Sequence, residues 1–170
     1  MVYTCSLDTP LGRMTAAAEA EALTGLWFNG QKYYPAHIVQ WVSQEEYPVF
    51  KDLQKWLQAY FAGHNPALSE LGFPLKPQGT AFRQTIWDIL LAIPYGQTRT
   101  YGDIAKEYAC RKGLASMSAQ AVGGAVGHNP ISILIPCHRV IGHNKSLTGY
   151  AGGLDKKIAL LTLEGVDLSK

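Results

Sequence analysis

The chain opens on three short apolar-rich stretches, Val2 to Asp8, Arg13 to Ala18 and Leu23 to Phe28. Thr9-Pro10-Leu11-Gly12, a polar join and Asn29-Gly30 punctuate them, so the pattern predicts an antiparallel meander. Residues 31–46, with Tyr33, Tyr34, His37 and Trp41, show no period and predict an irregular connection with at most a short helix. His37 and its aromatic neighbours read as surface and core filler rather than a cofactor site. The period then changes: Phe50, Leu53, Leu57, Tyr60 and Phe61 recur at three and four residues, which predicts an amphipathic helix over 48–62 stopped by Gly63-His64-Asn65-Pro66. Phe73-Pro74-Leu75 reads as a short edge strand.

Lys76-Pro77-Gln78-Gly79-Thr80 marks a boundary, with Thr80 as N-cap of the helix that follows. Phe82, Ile86, Ile89, Leu90 and Ile93 stripe that helix, and Pro94-Tyr95-Gly96 ends it. Tyr101 to Tyr108 predicts a short helix beginning near Thr100, followed by a loop over Cys110-Arg111-Lys112-Gly113-Leu114 and a second helix from Ser118. This is a helix-turn-helix outline with a long connection. Gly123 and Gly124 fall inside the second helix, where each glycine costs about 0.8–1.0 kcal/mol relative to alanine. Two explanations stand level: tight helix–helix packing, or a helix backbone laid against a partner such as a DNA groove. Arg111 and Lys112 either hold phosphates or form an ordinary solvated pair.

Ile131 to Ile135 has the pattern of a buried strand, which Pro136 ends because it cannot donate to a sheet ladder. Cys137 and His138 follow where the chain is free to turn, which allows a direct or water-bridged thiol–imidazole contact. A free thiol has a pKa of about 8.5 and is a few per cent thiolate at neutral pH; a neighbouring base raises that fraction. Taken alone, the pair reads equally well as a buried structural cysteine beside a hydrogen-bonded histidine. His143 to Gly153 is a polar, glycine-rich loop without a phosphate-loop lysine. Leu154 to Leu163 predicts a last amphipathic helix before Glu164-Gly165.

Composition narrows the partners. The 170 residues make one large domain or two small ones, and 47% hydrophobic content is ordinary for a globular protein. The net charge of +2 permits a nucleic-acid partner only through a local basic surface. The first residues do not resemble a signal peptide, and no run approaches the roughly 20 apolar residues of a membrane span. Three widely spaced cysteines, without a zinc-binding spacing, fit a reducing compartment; Cys5 and Cys110 read as structural.

The run Pro136-Cys137-His138-Arg139-Val140 resembles the active-site signature of the O6-alkylguanine-DNA alkyltransferases. Ala121-Val122-Gly123-Gly124-Ala125, Asn129-Pro130 and Ile133-Leu134-Ile135 precede it at family spacing, and Gly149-Tyr150-Ala151-Gly152-Gly153-Leu154 and Glu164-Gly165 follow. The resemblance is strong over residues 80–165 and weaker before them. It implies an α+β chain: a ribonuclease-H-like domain over 1–78, without catalytic carboxylates, then a mainly helical domain over 79–170 whose helix-turn-helix enters the minor groove.

The implied reaction is direct reversal of DNA damage, in which the alkyl group on guanine O6, and perhaps thymine O4, moves once and irreversibly to Cys137. The resemblance makes His138 the base, acting through a water, and Glu164 its orienter. Asn129 braces the turn before the active site, and Tyr101 aids rotation of the flipped base and protonates the leaving guanine. Cys137 and Val140 carbonyls and the Ala151 N–H face the base. Thr100, Gln120, Ala121, Gly123, Gly124, Arg139 and Tyr150, with Arg111 and Lys112, complete the expected substrate and DNA contacts. The family's usual intercalating arginine is replaced by Gln120, Val126 is small for its position, and the zinc set of some members is missing. The expected partner is single- or double-stranded DNA bearing O6-alkylguanine, bound by a monomer with no cofactor, metal or membrane. The expected location is cytoplasmic, with the nucleoid in a prokaryote, or nuclear in a eukaryote. A lesion-binding protein without chemistry is the alternative, and a cysteine hydrolase or a dimeric regulator stands further off.

Overall fold

The structure, a computed structural model, describes residues 1–36 and 38–169. His37, read above as filler, lies outside the described residues. The coordinates fall into two compact units, one of Met1–Gln78 with Pro130–Ser132, the other of Gly79–Asn129 with the chain from Ile133. Three residues from the middle of the second half thus belong to the first unit.

In the first unit, strands β1 (Tyr3–Thr9), β2 (Gly12–Glu19) and β3 (Ala22–Phe28) form the expected meander. The β1–β2 turn is tied by Thr9, whose hydroxyl donates to Gly12 O and accepts from the Leu11 N–H. The connection that looked irregular contains a strand, β4 (Val42–Ser43), which pairs parallel to β1 and makes the sheet order β3-β2-β1-β4. Two residues are too few for alternation to register. Helix α1 (Pro48–Phe61) starts with proline in its first turn and buries Phe50, Leu53, Leu57 and Tyr60. Leu75 makes a single bridge to Leu23 instead of the expected edge strand.

The second unit is mainly helical. Thr80 caps α2 (Ala81–Leu91) by accepting the Arg83 N–H. Buried Trp87 donates its indole N–H to Ala125 O at 2.9 Å, joining α2 to α4 (Ala119–Gly127). Thr100 and Asp103 form a reciprocal capping box on α3 (Tyr101–Lys112). This helix runs one turn further than expected, to a left-handed Gly113, so Cys110, Arg111 and Lys112 are helical and not part of the loop. The reason lies in side-chain pairing: Glu107 bridges Arg99 and Arg111, each at 2.6 Å. A two-residue parallel pair, β5 (Arg99–Thr100) with β6 (Val140–Ile141), sets the start of α3 beside the segment after Cys137. Helix α5 (Leu154–Leu163) closes the unit. No helix among the described residues is long and apolar enough to cross a membrane.

The apolar run before Cys137 is not a strand. Ile131 bridges β3 at Leu26, and the chain then turns through Ile133, whose φ is +71°. A β-branched residue rarely adopts that conformation. Ile131 to Ile135 are buried all the same, so a buried turn produced the apolar signature of a buried strand.

Candidate active site

Pro136 sits at φ −81°, ψ 63°, the centre of an inverse γ-turn closed by Cys137 N–H to Ile135 O at 2.8 Å. The same carbonyl accepts the Asn129 side-chain amide at 2.8 Å. Asn129 is itself buried at the end of α4 and also hydrogen-bonds toward Cys137. One side chain therefore ties the exit of α4 to the turn that presents the thiol. Cys137, His138 and Arg139 form a single 3-10 turn, and Cys137 is 6% exposed.

His138 and Glu164 are fully buried, with Nε2 and Oε2 2.7 Å apart. His138 Nδ1 has no protein hydrogen-bond partner among the described residues. Glu164, the C-cap of α5, also accepts from the Gly96 N–H at 3.1 Å and from Arg139 on both oxygens, Nε at 2.8 Å and Nη2 at 3.0 Å. Gly96 has φ +78°, and an added Cβ would stand 3.0 Å from Glu164 O, so both conformation and space require glycine. Arg139, expected among the DNA contacts, has its remaining listed donor on Ile93 O at 2.7 Å and its side chain 12% exposed. Its guanidinium is committed to the interior, and it belongs to the site's framework.

Electrostatics correct a second expectation. Burial pushes the Cys137 thiol up; hydrogen bonds from Asn129, its own backbone and Tyr150, with the charge of Lys157, act against that rise. The resting thiol is thus a suppressed nucleophile, and not one enriched in thiolate as its neighbours suggested. Burial also lowers His138, helped by the charges of Arg139 and Lys157 and opposed by Glu164. Neutral imidazole beside neutral thiol is the resting state. Burial raises the Tyr101 phenol too, which keeps it a proton donor; its hydroxyl donates to Thr148 O at 3.4 Å.

Lys157 escaped the sequence reading. It is fully buried, drawn down to about 8 by burial, and donates to the carbonyls of Val140 (2.6 Å), Thr148 (3.2 Å) and Gly149 (3.1 Å). It therefore clamps the loop after the catalytic turn. The available signal was a lysine on the apolar stripe of α5, three and four residues before Leu160 and Leu161. Val140 O, expected to accept from a guanine, already carries this bond and keeps one lone pair. Tyr95 and Gly96, read only as a helix stop, form part of the site's wall.

A cavity of about 590 Å³ lies between the starts of α3 and α4 and the loop after β6, with Thr100, Tyr101, Gln120, Gly123 and Thr148 in its lining. Cys137 is not among its lining residues. The other expected residues divide. Gln120, Ala121 and Gly124 are exposed on one face of α4, whose opposite face buries Val122, Ala125 and Val126. A Cβ at Gly124 would meet nothing within 4 Å, and at Gly123 only the Tyr101 ring at 3.9 Å. Tight helix packing therefore does not explain these glycines. Ala151 lies in a turn closed by Gly153 N–H to Tyr150 O. Arg111 is engaged with Glu107, while Lys112 is exposed. No cluster of three or more His, Cys, Asp or Glu stands ready for a metal among the described residues.

Comparison with known proteins converges on one family. Residues 1–77 match the ribonuclease-like domain of 6-O-methylguanine DNA methyltransferase and residues 81–166 its DNA binding domain. A methylated-DNA–protein-cysteine methyltransferase of Haemophilus influenzae is 41% identical, covering 97% of this chain and 87% of the relative. One from Methanosarcina acetivorans is 43% identical, over 96% and 99%. The crystal structure of Mycobacterium tuberculosis OGT in complex with DNA superposes with a TM-score of 0.81 at 41% identity, covering 95% of this chain and 92% of that one. With its buried Cys-His-Glu relay and these relatives along nearly its whole length, the chain belongs to the methylated-DNA–protein-cysteine methyltransferase family.

Proposed function

We propose that this protein repairs DNA by direct reversal, taking the alkyl group from O6-alkylguanine onto Cys137 once per molecule. The observation that carries the reading is the buried thiol next to a His138–Glu164 pair whose outer nitrogen, Nδ1, meets no protein group. A water between Nδ1 and Sγ completes the path for the thiol proton. As that proton moves to Nδ1, the sulfur attacks the alkyl carbon; the S–C bond forms and the C–O6 bond breaks. The guanine leaves with the electron pair, and Tyr101 supplies a proton to it, recovering one from the imidazolium by way of solvent. Glu164 holds the transient imidazolium, and the Lys157 ammonium favours the thiolate. The product thioether has no route back, because displacement at an alkyl carbon leaves no acyl group for water to release.

The target base has to leave the stack to meet a buried sulfur. The bare face of α4 suits close approach to DNA: a helix without side-chain bulk at Gly123 and Gly124 fits a narrow minor groove. Gln120 stands where it enters the space the base vacates. The Ala151 N–H and the Val140 carbonyl serve as base contacts, and Lys112 contacts phosphate. The protein acts as a monomer on duplex or single-stranded DNA. Intact-mass measurement after incubation with O6-methylguanine DNA tests the reading: one methyl per chain, mapped to Cys137, supports it. Repeated turnover, or methyl on Cys5 or Cys110, refutes it.

A further inference from the structure

Glu164 receives four N–H donors on two oxygens: Arg139 Nε (2.8 Å) and Gly96 N (3.1 Å) on Oε1, Arg139 Nη2 (3.0 Å) and His138 Nε2 (2.7 Å) on Oε2. An ionised carboxylate has about four lone-pair sites and no donor. The set is filled only if Glu164 is ionised, since a carboxyl O–H would be aimed at another N–H. Nε2 therefore carries the hydrogen. A neutral imidazole has one N–H, so Nδ1 keeps its lone pair. Arg139 supplies two of the four donors and the paired positive charge. It is fixed in turn by Ile93 O at 2.7 Å and lies over the Tyr95 ring, 5.8 Å from its centroid. The other groups acting on this pair are Lys157, which gives its listed bonds to carbonyls, the Cys137 thiol, and Tyr95 against Glu164.

We propose that Arg139 is a positioning residue: by holding Glu164 as an acceptor-only carboxylate it fixes His138 as the Nε2–H tautomer and so leaves Nδ1 as the atom that takes the thiol proton. This rests on the reading of His138 as the base. Without Arg139, a buried carboxylate loses its cation and two donors and takes a proton at higher pH. Protonated Glu164 then donates to Nε2, the imidazole hydrogen moves to Nδ1, and no lone pair faces the thiol. The loss is conditional on pH: severe at the acid end, and relieved as Glu164 ionises on raising the pH.

Long-range proton–nitrogen correlation NMR on protein labelled in histidine reads the tautomer directly, without reference to activity. Wild type should show His138 as Nε2–H. R139M should show the Nδ1–H form at the acid end, with alkyl transfer from O6-methylguanine DNA reduced by about 10²-fold there and recovering as pH rises. R139K, which keeps the charge without the fork, should show the same acid-limb shift to a smaller extent, and it decides the matter if R139M does not fold. A tautomer unchanged in the variants, or a rate lowered by one factor at every pH, overturns the proposal. If wild type transfers no methyl at all, the functional reading fails, and the tautomer measurement still tests the role of Arg139.

Discussion

At the scale of single residues, the thiol that reacts is the one made hardest to ionise. Cys137 is buried and its thiol pushed up, Cys5 is raised to about 12, and Cys110 is exposed on α3. A thiolate is the species that attacks, so a general alkylating reagent near neutral pH should label Cys110 first and leave Cys5 and Cys137 almost untouched. A guanine substrate should label Cys137 alone. Peptide mapping after each treatment checks both halves; rapid labelling of Cys137 by the general reagent would mean that its thiol is already ionised. The sign for pH follows: transfer limited by loss of the thiol proton should accelerate as pH rises through neutrality. The relay is tested at Glu164. E164Q keeps the shape but can turn its amide N–H toward Nε2, so transfer should slow by about 10²-fold or more, while DNA affinity stays nearly unchanged. Equal loss of both would make Glu164 a folding residue.

Among the elements, α4 is the one whose sequence conflicts with its own propensity. Open space around the Gly124 Cβ position means that G124A meets no clash and should stabilise the protein by up to about 1 kcal/mol, read from a denaturant midpoint. If this face lies in a groove, the same change weakens DNA binding; stabilisation with unaltered binding would place the groove elsewhere. Gln120 belongs to the same face. Flipping a base costs a few kcal/mol, and a planar, charged arginine offsets more of it than glutamine does. Q120R should therefore speed repair of duplex O6-methylguanine relative to transfer from free O6-benzylguanine, where no stack is opened. An unchanged ratio would show that Gln120 is not the intercalating side chain. How far the elements could be read from sequence depended on the length of their pattern. The meander, α1 and α2 repeat their period several times and were legible. β4 is too short to show a period, the end of α3 was decided by the Arg99–Glu107–Arg111 pairing, and the Ile131–Ile135 turn is apolar because it is buried. Within the site, the signature located Cys137, His138 and Glu164. It could not show that Arg139 turns inward or that Lys157 clamps the loop, because both depend on contacts across 17 to 46 residues of chain.

For the whole molecule, family membership and the chemistry of the site point the same way, toward a protein consumed by its own reaction. The low net charge of +2 and a helix face short of base-reading groups imply DNA binding carried by phosphate contacts, few in number. Affinity for undamaged DNA should fall as salt rises, with a shallow slope and little dependence on sequence; strong preference for one undamaged sequence would favour a regulator. The central claim, that Cys137 is the terminal acceptor of an alkyl group from DNA, is tested most directly by following intact mass against time with excess O6-methylguanine duplex. The account predicts a shift of one methyl per chain that stops at one equivalent, localised to Cys137 and abolished in C137S. Demethylated DNA accumulating beyond one equivalent of protein, or an unmodified Cys137 beside repaired DNA, would contradict it.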